Sequence, residues 1–295
     1  MTDRRQFLMA AVGGALLPRF VLSQSSNTTK LTDTLSVINA GTNVVALLNS
    51  DGMILVDTGD PQSSAALKGA LATPVRTVFN THYHLENTGS NEAFGQTGAK
   101  IIAHERTRQW MSTDYWVPDQ DRFEKARPKA ARPTQVFKTT GSMTAGSEQI
   151  EYGYLPMAHT SGDIYVFFKT SNVLAVGDVA APVRDPALDY FTGGWIGGRV
   201  EAMDLLLKLA NEQTKIVPGF GPVMTRAQFK AERDVMEEVR VRLWKQVREG
   251  LGPKEMLDGG LMSGLPRTWK DPYKFLYDAD KGMWAHHNKL DPNVV

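Results

Sequence analysis

Thr81-His82-Tyr83-His84-Leu85-Glu86-Asn87 follows the β-rich run 75–80. Side chains alternate between the two faces of an extended segment, so residues two apart share a face. A turn after the strand would therefore point His82, His84 and Glu86 the same way, as candidate metal ligands. A lone histidine is usually structural, whereas a His-x-His-x-Glu run after a buried strand points to a metal site. Downstream, His159 in Ala158-His159-Thr160-Ser161-Gly162-Asp163 ends another strand-like run, and Asp178 in Val176-Gly177-Asp178 ends a third. Ionisable side chains at strand ends lie where loops gather to build sites.

Composition narrows the chemistry. A chain of 295 residues, 42% hydrophobic and 22% charged, can bury one large core or two modest ones. Thirty-three basic against thirty-two acidic residues leave a formal charge of +1, so no overall field draws the chain to nucleic acid or an anionic membrane. The basic run Arg122 to Arg132, next to Pro133, reads as a solvated loop with no partner assigned. With no cysteine, a metal must be held by imidazole, carboxylate, carbonyl or water, which confines the search to six histidines and their acidic neighbours.

The amino terminus reads as an address. Arg4-Arg5-Gln6-Phe7-Leu8 precedes a short apolar stretch, 9–17, and resembles a twin-arginine export signal. Residues 1–29 are expected to be this signal peptide and a polar linker, and the protein is expected to be periplasmic or otherwise exported. No later segment offers about eighteen continuous apolar residues, so no integral membrane segment is expected in the mature chain.

Periodicity organises the rest. Strands are predicted at 35–40, 44–48, 53–56, 75–80, 100–104, 152–157, 164–169, 172–176 and 215–217, with a hairpin signal at Asp51-Gly52. Helices are predicted at 63–71, 106–111 and 200–211. Two groups of strands, each followed by helices, are buried most simply as an α/β four-layer αββα sandwich with sites at one edge. This domain is expected over 30–225, with a C-terminal helical extension over 226–295. In that extension Phe229, Val235, Met236, Val239 and Leu243 mark a long helix at 226–249, and a shorter one is expected at 272–286. Whether it covers a pocket or forms a dimer contact stays open, as does the oligomeric state.

Five motifs in order resemble the metallo-β-lactamase superfamily: Asp57 in Leu55-Val56-Asp57-Thr58-Gly59, the His82 run, His159 with Gly162-Asp163, Gly177-Asp178, and Pro218-Gly219-Phe220-Gly221-Pro222. The resemblance, from about Leu35 to Pro222, implies the same αββα sandwich with a metal site at the sheet edge. It matches His82, His84 and His159 to the three ligands of the first metal position, a set suited to zinc. It also makes Asp178 and Glu86 further candidate ligands. At the second position the family has Asp, His and His where this chain has Glu86, Asn87 and Phe220, so one zinc ion is expected and a second would bind more weakly.

The resemblance implies a metal-activated water, with Glu86 or Asp178 taking or orienting its proton. Asp57 and Asp163 are expected to support the ligands by hydrogen bonding. His104-Glu105 reads as a packing or helix-start pair, Tyr190-Phe191 and Trp195 as a small core rather than pocket lining, and His286-His287 as solvated. The expected function is zinc-dependent hydrolysis of a small-molecule ester, amide, lactone or related substrate. The alternative is a non-catalytic metal- or ligand-binding accessory protein of the cell envelope. No element recognising a lactam carboxylate is legible in the sequence.

Overall fold

The structure, a computed structural model, describes residues 27–288; the paired arginines and most of the expected leader lie outside the described residues. Up to Phe137 the chain builds β1 (Thr28–Lys30), β2 (Leu35–Ala40), β3 (Thr42–Asn49), β4 (Gly52–Val56), β5 (Val75–Phe79), β6 (Lys100–His104), β7 (Tyr115–Val117), β8 (Arg122–Glu124) and β9 (Gln135–Phe137). Strands β7 and β8 pair with each other as a separate hairpin, and the other seven form one sheet in the order β1-β2-β3-β4-β5-β6-β9. A second sheet follows in sequence order: β10 (Thr140–Ala145), β11 (Glu148–Tyr154), β12 (Ile164–Phe168), β13 (Val173–Gly177) and β14 (Lys215–Pro218).

Side-chain alternation explains why the sheets stack. In β12, Ile164, Val166 and Phe168 pack toward the first sheet, whereas Tyr165 and Phe167 turn to the helices behind. In β3, Val45 and Leu47 face the second sheet, whereas Val44 and Ala46 lie in the outer core with Leu67 and Phe94. Those two residues belong to α1 (Ser64–Ala70) and α3 (Asn91–Gln96), which flank the single turn α2 (Leu85–Thr88). Covered on both faces, such strands read as continuous apolar runs. The layers are therefore helix, sheet, sheet, helix, as the sequence led us to expect.

The remaining helices are α4 (Glu105–Ser112), α5 (Ile196–Leu209), α6 (Arg226–Arg248), α7 (Pro253–Asp258) and α8 (Pro272–Asn288). Thr225 opens α6 with a capping box to Gln228, which satisfies donors that a helix start leaves free. Phe229, Met236, Val239 and Leu243 of α6 share one core with Met203 and Leu206 of α5 and with Phe275, Leu276 and Met283 of α8. The residues after 225 thus form part of the outer layer of the second sheet.

Strand ends set the position of the site. Strands β4, β5 and β6 run parallel, with Val56 opposite Phe79, so the residues that follow β4 and β5 emerge at one edge. Strand β12 is antiparallel to β13, and β13 is parallel to β14 with Gly177 opposite Pro218. The loop before β12 and the loops after β13 and β14 therefore emerge together. Asp57, His82, His159, Asp178 and Gly219 all belong to these loops.

Some boundaries differ from the sequence reading. The strand expected at 152–157 spans Glu148–Tyr154, and β10 was not anticipated, because its small polar residues alternate between exposed and half-buried positions and give little hydrophobic signal. The run Arg122 to Arg132, read as a loop, contains β8 and a 3-10 turn at Lys129–Ala131. Three-residue strands whose large side chains, Trp116 and Phe123, stay exposed leave no periodicity to detect. No helix among the described residues is long and apolar enough to cross a membrane.

Leu276 is fully buried in the core that α5, α6 and α8 share. Leu276→Ala is expected to destabilise the whole protein by about 2–5 kcal/mol in urea unfolding. An unchanged main transition would mean that the C-terminal helices fold apart from the sandwich.

Candidate metal centre

Asp57, the first residue beyond β4, adopts the left-handed region at φ 62, an uncommon conformation for a residue with a side chain. Its carboxylate accepts hydrogen bonds from Thr81 N at 2.8 Å, Thr81 Oγ1 at 2.6 Å and Asn87 Nδ2 at 3.1 Å. Burial pushes this carboxyl up to about 7 against those three donors. The Thr81 hydroxyl donates to Asp57 and stands 3.1 Å from His82 Nδ1, so it accepts that ring proton and leaves Nε2 bare. Gly177 takes φ 54 beside this contact; a Cβ there would lie 2.6 Å from Thr81 Oγ1, which explains glycine before Asp178.

The other two histidines are oriented in the same manner. His159 Nδ1 lies 2.9 Å from the carbonyl of Ala187 and must donate to it, which presents Nε2 to the site. Asp163 accepts the backbone N–H groups of His159 and Thr160, both at 2.7 Å, and fixes the loop that carries the ring. His84 directs Nε2 at Asp189 Oδ2, 3.1 Å away, and Nδ1 at His159 Nε2, also 3.1 Å away. The three ring centroids are 4.8, 4.8 and 4.9 Å apart, at interplanar angles of 83°, 83° and 80°.

Electrostatics agree with this geometry. Burial, with the charges of His84, His159 and Arg184, holds His82 well below the usual imidazole range, and burial with His84 pulls His159 down to about 3. Burial also pulls on His84, but the bond to Asp189 and its charge outweigh it and raise the pKa. One proton on His84 Nδ1 then bridges to His159. A metal ion would compete for the same nitrogens, which is the usual linkage between metal binding and proton release.

The residues fit such an ion. His82, His84 and His159 offer ligand atoms that all lie within 4.8 Å of one another. His82 Nε2 is buried without a hydrogen-bond partner among the described residues, a costly state unless an ion completes it. Each ring also carries its own supporting partner through the opposite nitrogen, as metal-binding histidines do.

Glu86 and Asp178 lie at the margin of this group. Glu86 does not follow the alternation supposed from the sequence: it sits in the single turn α2, with Oε1 3.8 Å from His84 Nδ1 and its side chain 44% exposed. Asp178 Oδ2 lies 3.9 Å from His82 Nε2 and 3.7 Å from His159 Nε2. The same oxygen accepts from the Arg184 guanidinium, whose carbon lies 3.4 Å above the centre of the Phe220 ring. Burial raises the Asp178 carboxyl although Arg184 works against it. A Cβ at position 219 would fall 1.9 Å from Asp178 Oδ1, so the Pro-Gly pair leaves room for this side chain.

A cavity of about 360 Å³ opens onto His84, His159 and Glu86. Tyr190 and Phe191, read from the sequence as a small core, line it, together with Tyr83 and Tyr115. Trp195 is buried at the start of α5; His286 and His287 are exposed as expected, with the His286 ring stacked on Trp195 at 3.7 Å between centres. His104 starts α4 by accepting from Arg106 N, in agreement with a helix-start role. Sequence reading missed Thr81, Arg184, Asp189 and the buried Arg199, whose Nη1 donates to the same Ala187 carbonyl at 3.1 Å. No local pattern separates these residues from other polar side chains; their partners are distant in the chain.

The family model described as the metallo-beta-lactamase superfamily matches residues 39–221. Metallo-beta-lactamase IND-1 of Chryseobacterium indologenes is 23% identical over 184 residues, covering 60% of this chain and 70% of that protein. The 2,4-dinitroanisole O-demethylase subunit alpha of Nocardioides sp. (strain JS1661) is 23% identical over 218 residues, 70% of this chain but only 61% of that subunit's length. Among solved structures, a metallo-beta-lactamase from Pontibacter korlensis superposes with a TM-score of 0.59 at 18% identity, covering 71% of this chain and 98% of that one.

Asp189→Asn preserves the shape of the group behind His84 and removes its charge. It is expected to weaken metal binding by roughly 10- to 100-fold in a competitive chelator titration. Unchanged affinity would show that Asp189 does not orient the ring for a metal.

Proposed function

The chain belongs to the metallo-beta-lactamase superfamily, and from that premise we propose that it is a zinc-dependent hydrolase of a small ester, amide or lactone, working with one ion held by His82 Nε2, His84 Nδ1 and His159 Nε2. Members of this superfamily are metal-dependent hydrolases, and the three histidines form a group that could hold a metal. The observation that carries the reading is the buried Nε2 of His82, without a hydrogen-bond partner among the described residues and turned toward two further imidazoles. When bound to three histidines, zinc lowers the pKa of water toward about 7 and polarises a carbonyl oxygen as a Lewis acid.

The chain's own residues divide the remaining work. Glu86 lines the cavity beside His84 and is solvated enough to exchange protons. We assign it to accept the proton of the attacking water and return it to the leaving group. Asp178 is deeply buried and tied to Arg184, and it suits charge balance and positioning better than proton transfer. His84 keeps its orientation through Asp189, which leaves Nδ1 directed at the other two histidines, where it would help to hold the ion.

A second ion does not fit these residues. Asp178 already has a cation in Arg184, Phe220 offers a ring face to that guanidinium, and Asn87 directs its amide N–H at Asp57. The same three contacts are what favour the accessory-protein reading. The Arg4-Arg5 leader is our ground for inferring that the protein works in the periplasm after twin-arginine export.

Elemental analysis of protein purified without added metal, and again after zinc loading, is expected to give one ion per chain, lost together with ester hydrolysis in His84→Ala. Glu86→Gln is expected to keep the ion and lower kcat by roughly 10²- to 10⁴-fold. Two tightly held ions would overturn the single-ion site. No ion after loading, or no turnover of any ester or lactone, would favour the accessory protein.

A further inference from the structure

The cavity beside the three histidines carries a charge that the proposed chemistry does not use. Its cationic lining consists of Arg122, Arg127 and Lys274, and its anionic lining of Glu86, Glu124, Asp189 and Asp278. Arg122 pairs with Glu124 and donates to Gln120 Oε1 at 2.9 Å, and Lys274 pairs with Asp278. Asp189 accepts from Tyr83 and faces His84. Glu86 lies near His84. Arg127 is left over: no hydrogen bond or ion pair of its guanidinium occurs among the described residues, although the residue is half-buried on the cavity wall.

Its backbone is nevertheless held at both ends of the peptide unit. Arg127 N donates to Met111 O at 2.8 Å, and Arg127 O accepts from Arg132 Nε at 2.6 Å. A fixed main chain with an unpaired, always charged, planar fork beside a cavity is the arrangement that receives a carboxylate or a similar oxyanion.

The neighbouring wall is aromatic. Tyr115 and Phe191 lie nearly parallel, with ring centres 5.9 Å apart at 26°. Trp110 braces both, at 5.2 and 5.8 Å, and Tyr83 meets Tyr115 at 6.4 Å. Tyr115 belongs to β7, and the hairpin it forms with β8 leads into Arg127, so one element brings both the ring and the charge to the cavity. A volume of about 360 Å³ lies at the small end of the range for small-molecule sites.

We propose that Arg127 is the specificity residue of this cavity and that the substrate is a small aromatic ester or lactone that also bears a carboxylate. The ring lies against Tyr115 and Phe191, the carboxylate pairs with Arg127, and the scissile bond is thereby held toward His84, His159 and Glu86. Water adds to the acyl carbon, the acyl C–O bond breaks, and the alcohol oxygen leaves with the proton carried by Glu86. The turnover part rests on the hydrolase reading above; the binding part does not.

Two aryl acetates of the same shape test it: 4-acetoxybenzoate, which is anionic, and 4-acetoxybenzamide, which is neutral. Zinc-loaded protein is expected to favour the benzoate in kcat/KM. Arg127→Met is expected to lower kcat/KM for the benzoate roughly 10- to 100-fold. The benzamide should respond several-fold less, and Arg127→Lys should restore part of the loss. Calorimetry with 4-hydroxybenzoate, which has no bond to hydrolyse, gives a readout independent of catalysis. Arg127-dependent binding without turnover of either acetate would uphold this subsite while the hydrolase reading fails. Turnover without preference for the anion, or equal losses for both acetates in Arg127→Met, would overturn the subsite and leave the hydrolase reading intact.

Discussion

Two buried imidazole rings, His82 and His159, and the half-buried ring of His84 at the cavity edge turn nitrogens toward one another, and lone pairs gathered this closely need a shared cation or proton between them. That constraint governs this molecule. His82, His84 and His159 are held in mutual contact, with His159 Nε2 and His84 Nδ1 3.1 Å apart and His82 Nε2 unpartnered among the described residues. Each arrives on a different kind of support: Thr81 backed by Asp57, the Asp189 carboxylate, and the loop that Asp163 ties down. Of these supports the Asp189 carboxylate, bonded to Tyr83 and His84, supplies the negative potential that favours a cation where the rings meet.

The loop after β13 is where that cluster meets the rest of the protein. It carries Arg184, Ala187 and Asp189, and it is clamped from the helical layer. Arg199 of α5 donates to Ala187 O, Glu232 of α6 accepts from Ala181 N at 2.7 Å, and Arg267 donates to Ala181 O at 2.6 Å and to Arg184 O. Arg199 is fully buried, and burial lowers it to about 10 although Glu232, 3.8 Å away, works to keep it charged. Breaking such a pair leaves an uncompensated buried charge, so the C-terminal helices are coupled to the placement of His84 and His159.

Arg184 gives the site its individual character. A guanidinium lying over Phe220 and bonded to Asp178 places a fixed positive charge beside the histidines, where another side chain at 220 could have offered a ligand. A fixed cation cannot exchange its partners as a metal can, but it needs no loading and fixes the carboxylate's direction. The departures at Asn87 and Phe220 are thus each tied to a neighbour of the histidines, Asn87 to Asp57 and Phe220 to the Arg184 that holds Asp178.

Two groups of strands and the histidines of the candidate cluster were legible in the sequence. A continuous β-rich apolar run marks strands such as Ile164–Phe168, and His-x-His places two candidate ligands two residues apart, so both signals are local and survive without a structure. Short or polar elements such as Thr140–Ala145 and the Tyr115–Val117 hairpin strand bury too little to leave a pattern. Which charges meet is set by the three-dimensional fold. Asp189 reaches His84 across a separation of 105 residues, Arg184 turns back onto Asp178, and Arg127 arrives at the cavity on the hairpin segment. Such pairings depend on how loops from different strands converge at a sheet edge, and nothing in the local spacing of a charged residue records which distant partner it will face.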